Sequence, residues 1–437
     1  MKKSTIKLIA MLLTVVLMLP NFAGAGALNE NEVDDGLLTW EEVEEIGRLE
    51  APALKVYREL IAVWKDENGK AIFPDWYAGS YLDDNNMLSV KIAGDIKVYS
   101  DYIKNIVSND DVLNFEEAAL GYNELCELKE NVLSHPDSKS ADSIFVSVED
   151  NAVIVEGSLE SLISMSKDSV YNNPNIKCIK KDFVHTDKVP VQSAINSLST
   201  QAAGTVYPGE IIYNNAASGT LGWYGTYTFR GNSKPCILTA GHVIRGFIHG
   251  GDVKANPGTV LLSGGYLQYD YYFPYYIKYV CLDDSKSGAT SRGDYGFMAY
   301  ENISPSNKIY IGSGEQPRTV TDYLRNTDDL VVNQTLVYKG YGVSGFKTAT
   351  VKGKNVTWIY DRANEQTITD VVSVQGDVAF GVNGDSGSPV YSWDSSGNSF
   401  TICGIFDGGT TYTSTTNTYY FTPMPLIVDA GFEPYIG

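Results

Sequence analysis

Leu238-Thr239-Ala240-Gly241-His242-Val243 carries, at the end of a strand-like apolar run, one of only four histidines in the chain; the others are His135, His185 and His249. Far downstream stands Asn383-Gly384-Asp385-Ser386-Gly387-Ser388-Pro389. Imidazole is the side chain whose ordinary pKa suits a base near neutral pH, and a serine hydroxyl needs such a base to act as a nucleophile. Around both runs the sequence is β-like. Tyr227 and Phe229 alternate with Thr226, Thr228 and Arg230, and Val371, Val372, Val374, Val378 and Phe380 continue the pattern. Turn residues interrupt it about every ten residues, which predicts an antiparallel sandwich or barrel rather than a parallel α/β sheet.

The 437 residues exceed what one hydrophobic core usually serves, so at least two folded units are expected. Hydrophobic residues make up 43% and aromatics 12%, enough to bury a substantial core. The formal charge of −20 excludes nucleic acid and anionic membrane surfaces as expected partners, since both need a basic footprint. At the N-terminus Lys2 and Lys3 precede an apolar run from Leu8 to Leu19, followed by Pro20 and Ala23-Gly24-Ala25-Gly26-Ala27. This is the layout of a secretory signal over residues 1–25, too short for a membrane span. No later run is apolar enough to cross a bilayer, so a secreted monomer is expected. Five cysteines show no CxxC spacing, and neither a metal site nor a cofactor is indicated. They read as small buried hydrophobes, with pairing among Cys236, Cys281 and Cys403 left open.

Before the β-rich half, Leu38 to about Lys65 reads as helical with Pro52 ending its first helix, and Phe115 to Leu133 as a second helical stretch. Ile144, Val146 and Val148 alternate, Val153-Ile154-Val155 follows a turn, Leu159 to Val170 is helical, and a strand falls around Ile176 to Ile179. Residues 143–181 thus form a ββαβ subdomain of their own. Residues 182–205 read as a linker. No internal repeat is evident. The tyrosine-rich run Tyr266 to Tyr279 reads as barrel strands, with an aromatic binding strip as the alternative.

A histidine base needs a carboxylate to fix its tautomer. Asp294, alone at the start of the apolar run Gly293-Asp294-Tyr295-Gly296-Phe297-Met298, is preferred over Asp283 and Asp284 in a polar loop and over Asp370 and Asp377. Gly384 and Gly387 can leave the backbone exposed, so the amides of Gly384 and Ser386 could converge on a developing oxyanion.

Together, Thr-Ala-x-His, Asp294-Tyr295-Gly296 and Gly-Asp-Ser-Gly in this order resemble the chymotrypsin-like serine peptidases. The closer resemblance is to the bacterial branch typified by α-lytic protease and the streptogrisins, on Gly209-Glu210-Ile211-Ile212-Tyr213, Tyr420-Phe421-Thr422-Pro423 and the pro-region-like stretch Ser143 to Lys181. It covers about residues 140–437. The resemblance implies an all-β double antiparallel barrel over 202–437, preceded by an α+β pro-region over 26–201 that acts as folding aid and inhibitor. It implies a catalytic triad of His242, Asp294 and Ser386, an oxyanion hole of Gly384 and Ser386, and protein or peptide substrates hydrolysed through an acyl-enzyme.

By the same resemblance, a peptide binds along Gly408 and Gly409, with Asn383 and Asp407 at the substrate site. Asp407 stands where relatives often carry serine, close to the triad carboxylate, so either the register slips by a residue or that subsite has unusual electrostatics. Lys339 and Asp385 are expected as a buried pair. Val243 occupies a position where cysteine is common, so the usual brace is absent. No acidic residue lies near Phe380, where the pocket floor would be, which favours a small-to-medium apolar side chain over Arg or Lys. The alternative is a non-catalytic surface or binding protein on the same fold.

Overall fold

Apolar alternation from Trp223 to Phe229 makes this segment one strand of a five-stranded antiparallel sheet. Its order is Ile277–Val280, Tyr295–Ala299, Asn232–Thr239, Trp223–Phe229, Phe432–Pro434. The computed structural model describes residues 38–167, 169–181, 183–184, 206–229, 231–248, 250–255, 259–262, 277–282, 286–300, 303–309, 317–340, 346–361, 365–376, 385–394, 399–412 and 417–437. A four-stranded sheet, Thr259–Leu262, Val253–Ala255, Ile211–Tyr213, Ser218–Thr220, shares a core with the first through Ile212, Tyr224, Ile237, Leu261 and Met298.

The remaining half closes on itself. Thr335–Tyr338 pairs with Lys347–Asp361, which pairs with Gln366–Gly376. That strand pairs with Asn417–Pro423, which joins Ser399–Tyr412, then Pro389–Asp394, then Thr335–Tyr338 again. All six pairings are antiparallel, and closure leaves no unpaired edge along the ring. The expected double barrel is thus met by one closed ring. In the other half the described strands form two sheets around one core; of the tyrosine-rich run 266–279 expected to supply barrel strands, 277–279 lie in the strand Ile277–Val280 and 266–276 lie outside the described residues.

The leading region is built differently from the sequence reading in three places. First, the helix Trp40–Val63 runs straight through Pro52. Pro52 and Arg48 are both exposed, so the carbonyl that proline leaves without a donor faces water. On the opposite side Val43, Gly47, Glu50, Leu54, Tyr57 and Ile61 are buried at three- and four-residue spacing, and this packing outweighs a proline cost of about 3 kcal/mol. A capping box between Thr39 and Glu42 starts the helix. Second, Leu113–Ala118 is a strand, parallel to Leu88–Ala93, and the helix begins only at Tyr122 (Tyr122–Ser134).

Third, the chain contains the same supersecondary unit twice. Tyr77–Leu82, Leu88–Ala93, the helix Ile96–Ile106 and Leu113–Ala118 repeat the order of Ser143–Ser147, Ala152–Gly157, the helix Leu159–Met165 and Ile176–Lys180. In both, the first pair is antiparallel and the second parallel. Both hairpins turn at an asparagine of positive φ, Asn86 at 58° and Asn151 at 47°, a conformation asparagine tolerates. The sequences of the two units share little beyond this, so the repeat is invisible before folding.

The leading region has its own core around Tyr57, Leu60, Val90 and Leu125, but all described residues belong to one compact unit, Gly36–Gly437. Ser143–Ser147 adds to the ring strand Lys347–Asp361 through Ile144↔Thr357 and Ser143↔Trp358, so the second ββαβ unit is not separate from the barrel. Trp40 and Val43 enter the ring's core beside Phe346 and Phe400. Gly47 passes so close to Trp393 that a Cβ there would lie 1.6 Å from Cδ1.

Glu50 lies in the buried stripe of this helix and accepts both the Thr335 backbone N–H (3.1 and 3.2 Å) and its hydroxyl (2.6 Å). Burial pushes its carboxyl up from 4.5 to about 7, against the Thr335 hydrogen bonds. The folded chain therefore holds a proton that the unfolded chain releases. This stability is fully present below about pH 4.5 and is lost as pH rises through about 7, a change of about 3 kcal/mol. Glu50→Gln is expected to flatten the dependence over that window in urea unfolding of the full chain. An identical pH dependence in both proteins would refute the assignment.

Candidate active site

Two neighbouring strands bring a histidine and a carboxylate together. Asn232–Thr239 lies beside Tyr295–Ala299 with Thr239 opposite Gly296, so the residues just beyond their paired ends are adjacent. After Thr239 the chain turns into the helix Gly241–Phe247, anchored by buried Val243, Ile244 and Phe247. His242 leaves the strand end at the point where Asp294 enters the next strand. Asp294 Oδ1 accepts the His242 backbone N–H at 2.9 Å, and Oδ2 is hydrogen-bonded to the ring Nδ1. With Nδ1 holding the proton, Nε2 is the basic nitrogen. The carboxylate side chain is 6% exposed and the imidazole 40%, so the pair is fixed on its inner side and open on its outer side.

Ser386 reaches the same place from the ring. Its carbonyl accepts the Thr220 N–H at 2.9 Å, and Gly387 N–H donates to the Phe406 carbonyl at 2.7 Å. Gly387 has φ of 90°, and a Cβ there would lie 2.0 Å from Thr239 Oγ1 and 2.9 Å from Ala240 N. Only glycine lets this turn press against the residues that lead into His242. Both runs therefore converge, although none of the described hydrogen bonds joins the Ser386 hydroxyl to His242. Gly384, Asn383 and Phe380 lie outside the described residues, as do Asp283, Asp284 and Asp377. Asp370 is a surface group, ion-paired with Arg292 at 2.6 Å.

Beneath the serine turn lies a buried charge cluster. Asp385 is fully buried. The described ion pair to it comes from Lys347, whose Nζ is 3.9 Å from Oδ2, a residue the sequence reading did not single out. Lys339 is also buried and acts on the same carboxylate electrostatically. Burial pulls its ammonium down to about 8, with Asp385 and Glu210 opposing the fall. Glu210, in turn, is pushed up to about 7 by burial against the pull of the Tyr207 backbone and Lys339. The expected pair of Lys339 and Asp385 is thus part of a group of four charges. No single residue in Gly209-Glu210 or Phe346-Lys347 marks it in the sequence.

Gly408 and Gly409 lie in Ser399–Tyr412, opposite Tyr420 and Tyr419. Two residues further on, Thr411 and Tyr412 pair with Val184 and Phe183, so the start of the stretch 182–205 expected as a linker is instead a short strand. Asp407, expected at the substrate site, turns instead into the interior, 4% exposed and bonded to Thr422. The register slip at this residue accounts for its inward direction.

Comparisons with known proteins yield one family profile, described as Pro-like N-terminal domain, which matches residues 42–117. No curated protein sequence matches the chain. Among solved structures, one reported as a glutamic acid specific serine protease that uses a novel histidine triad in substrate binding is 19% identical with a TM-score of 0.37. It covers 53% of this chain and 100% of its own. Thermobifida fusca Protease A is 19% identical at TM-score 0.36, covering 54% and 100%. Cellulomonas bogoriensis chymotrypsin is 18% identical at TM-score 0.34, covering 53% and 100%.

Removing one partner of a buried ion pair leaves an uncompensated charge, at a cost of about 3–5 kcal/mol. Lys347→Met is expected to cost this much in urea unfolding. Lys339→Met should cost less, because burial already disfavours its charge. Equal or reversed costs would return the dominant pairing to Lys339.

Proposed function

We propose that this protein is a serine endopeptidase, exported by its first 25 residues and made with residues 26–201 as an intramolecular pro-region. The observation that carries the reading is the two-point hold of Asp294 on His242, on the backbone N–H and on Nδ1, which leaves Nε2 basic beside the serine turn. In the reaction, Ser386 Oγ attacks the carbonyl carbon of a peptide while His242 Nε2 takes the hydroxyl proton. Asp294 supports the imidazolium. The amides of Ser386 and Gly384 receive the oxyanion, each such donor being worth about 10²–10³ in rate. His242 then passes its proton to the leaving amine, and water repeats the sequence on the acyl-enzyme.

A peptide would add as a strand along Gly408 and Gly409. The pairing of Phe183–Val184 with the end of the same strand supports an inhibitory pro-region. Strand addition by Ser143–Ser147 to Lys347–Asp361 supports a folding role, because a ring of non-local pairs forms slowly and a template lowers that barrier.

A fluorophosphonate probe is expected to label Ser386 in the wild-type chain, with labelling slowed more than about 10³-fold by His242→Ala. Wild type should also cleave itself within about residues 198–205 while Ser386→Ala stays full length. Labelling that survives Ser386→Ala would sink the assignment and favour a non-catalytic binding protein.

A further inference from the structure

Behind the carboxylate that holds His242 lies a second one. Asp407 falls where the register of Ser399–Tyr412 against Asn417–Pro423 slips, between the pairs Phe406↔Phe421 and Gly408↔Tyr420. A regular strand would send neighbouring side chains to opposite faces. Here the bulge brings both inside, with Phe406 and Asp407 each 4% exposed.

The Thr422 hydroxyl lies 2.9 Å from Asp407 Oδ1 and 2.8 Å from Oδ2. Its oxygen also accepts the Asp294 backbone N–H at 2.8 Å. Thr422 is fully buried, and it offers Asp407 its hydroxyl proton and its backbone N–H, both from neutral groups. Asp294 also receives two donors, both from His242, one of them a ring that can carry positive charge. The strand Asn417–Pro423 carries no charged residue, and among the described groups the charge that acts on Asp407 is Asp294. Two buried carboxylates in one place do not both ionise cheaply, and the proton goes to the one whose donors are all neutral. Burial, and then the charge of Asp294, push the Asp407 carboxyl well above its ordinary range.

We propose that Asp407 is held as the neutral acid and is a positioning residue, backing Asp294 through the Thr422 hydroxyl so that a single negative charge faces His242. Its positioning role rests on the peptidase reading; its protonation does not. When Asp407 ionises at alkaline pH, its proton leaves to solvent and a second negative charge joins the pair. Reactivity at Ser386 therefore carries an alkaline inflection that belongs to Asp407.

Two measurements test this. In the full-length Ser386→Ala chain, the infrared carbonyl band of a protonated carboxylic acid is expected at neutral pH and is lost in Ser386→Ala/Asp407→Asn. A parent without the band, or a variant that keeps it, overturns the protonation whether or not Ser386 is a nucleophile. With Ser386 present, Asp407→Ala is expected to slow fluorophosphonate labelling about tenfold or more, Asp407→Asn to restore most of that loss, and both to lose the alkaline inflection. Labelling of Asp407→Ala at the parent rate, or an inflection that survives in Asp407→Asn, overturns the positioning role. Should Asp407→Asn fail to fold, Asp407→Ser is the neutral variant for both measurements, with the same outcomes. A parent chain that is never labelled refutes the peptidase reading, and the infrared band still decides the acid.

Discussion

The hydrogen bonds from His242 into Asp294 are the constraint that the site depends on. They require two strands from one sheet to end side by side, with the helix Gly241–Phe247 starting at once on one of them. They also require the Asp294 carboxylate to be almost fully buried, which its hydrogen bonds permit. Thr422 takes the Asp294 N–H, so the ring half reaches across to fix the carboxylate of the two-sheet half. The position of Ser386 follows the same logic. Its turn is pinned by Thr220 from one half and Phe406 from the other, and presses on Thr239 through Gly387.

Around this centre the protein accumulates buried charge that a purely apolar core would avoid. Asp385 with Lys347, Lys339 and Glu210 lies under the serine turn, and Asp407 lies behind Asp294. Buried pairs of this kind are weak sources of stability. What they supply here is connection: Glu210 stands five residues after the linker at 182–205, Lys347 is in a ring strand, and Asp385 immediately precedes the serine. Groups this interdependent tie the start of the β-rich half to the turn that carries Ser386.

The leading region is attached by the same means that build the rest. It extends the ring's sheet with Ser143–Ser147, inserts Trp40 into the ring's core and places Glu50 against Thr335. Its closest approach is Gly47 on Trp393, where a Cβ would have no room. Such an attachment is broad and partly polar, and the carboxyl of Glu50 makes it sensitive to pH.

Sequence alone determined what local chemistry can specify. A scarce histidine after Thr-Ala-Gly, a serine between glycines and a lone aspartate opening an apolar run were legible because each needs particular residues at short spacing. The ββαβ pattern of 143–181 was legible because period-two alternation is a local signal. Pro52 misled because a proline's cost is local whereas the packing that overrides it comes from Trp393 and its neighbours. The repeated unit escaped because the same topology can be built from dissimilar apolar residues. Lys347, Glu210 and Thr422 carried no signal, since their partners come from other strands. Asp407 shows the division most clearly: its identity and its place near Asp294 were expected from the resemblance, but the one-residue bulge that buries it against Thr422 exists only once two strands have paired. Tertiary structure decides such points because burial and charge act through space, and the sequence records only what is adjacent along the chain.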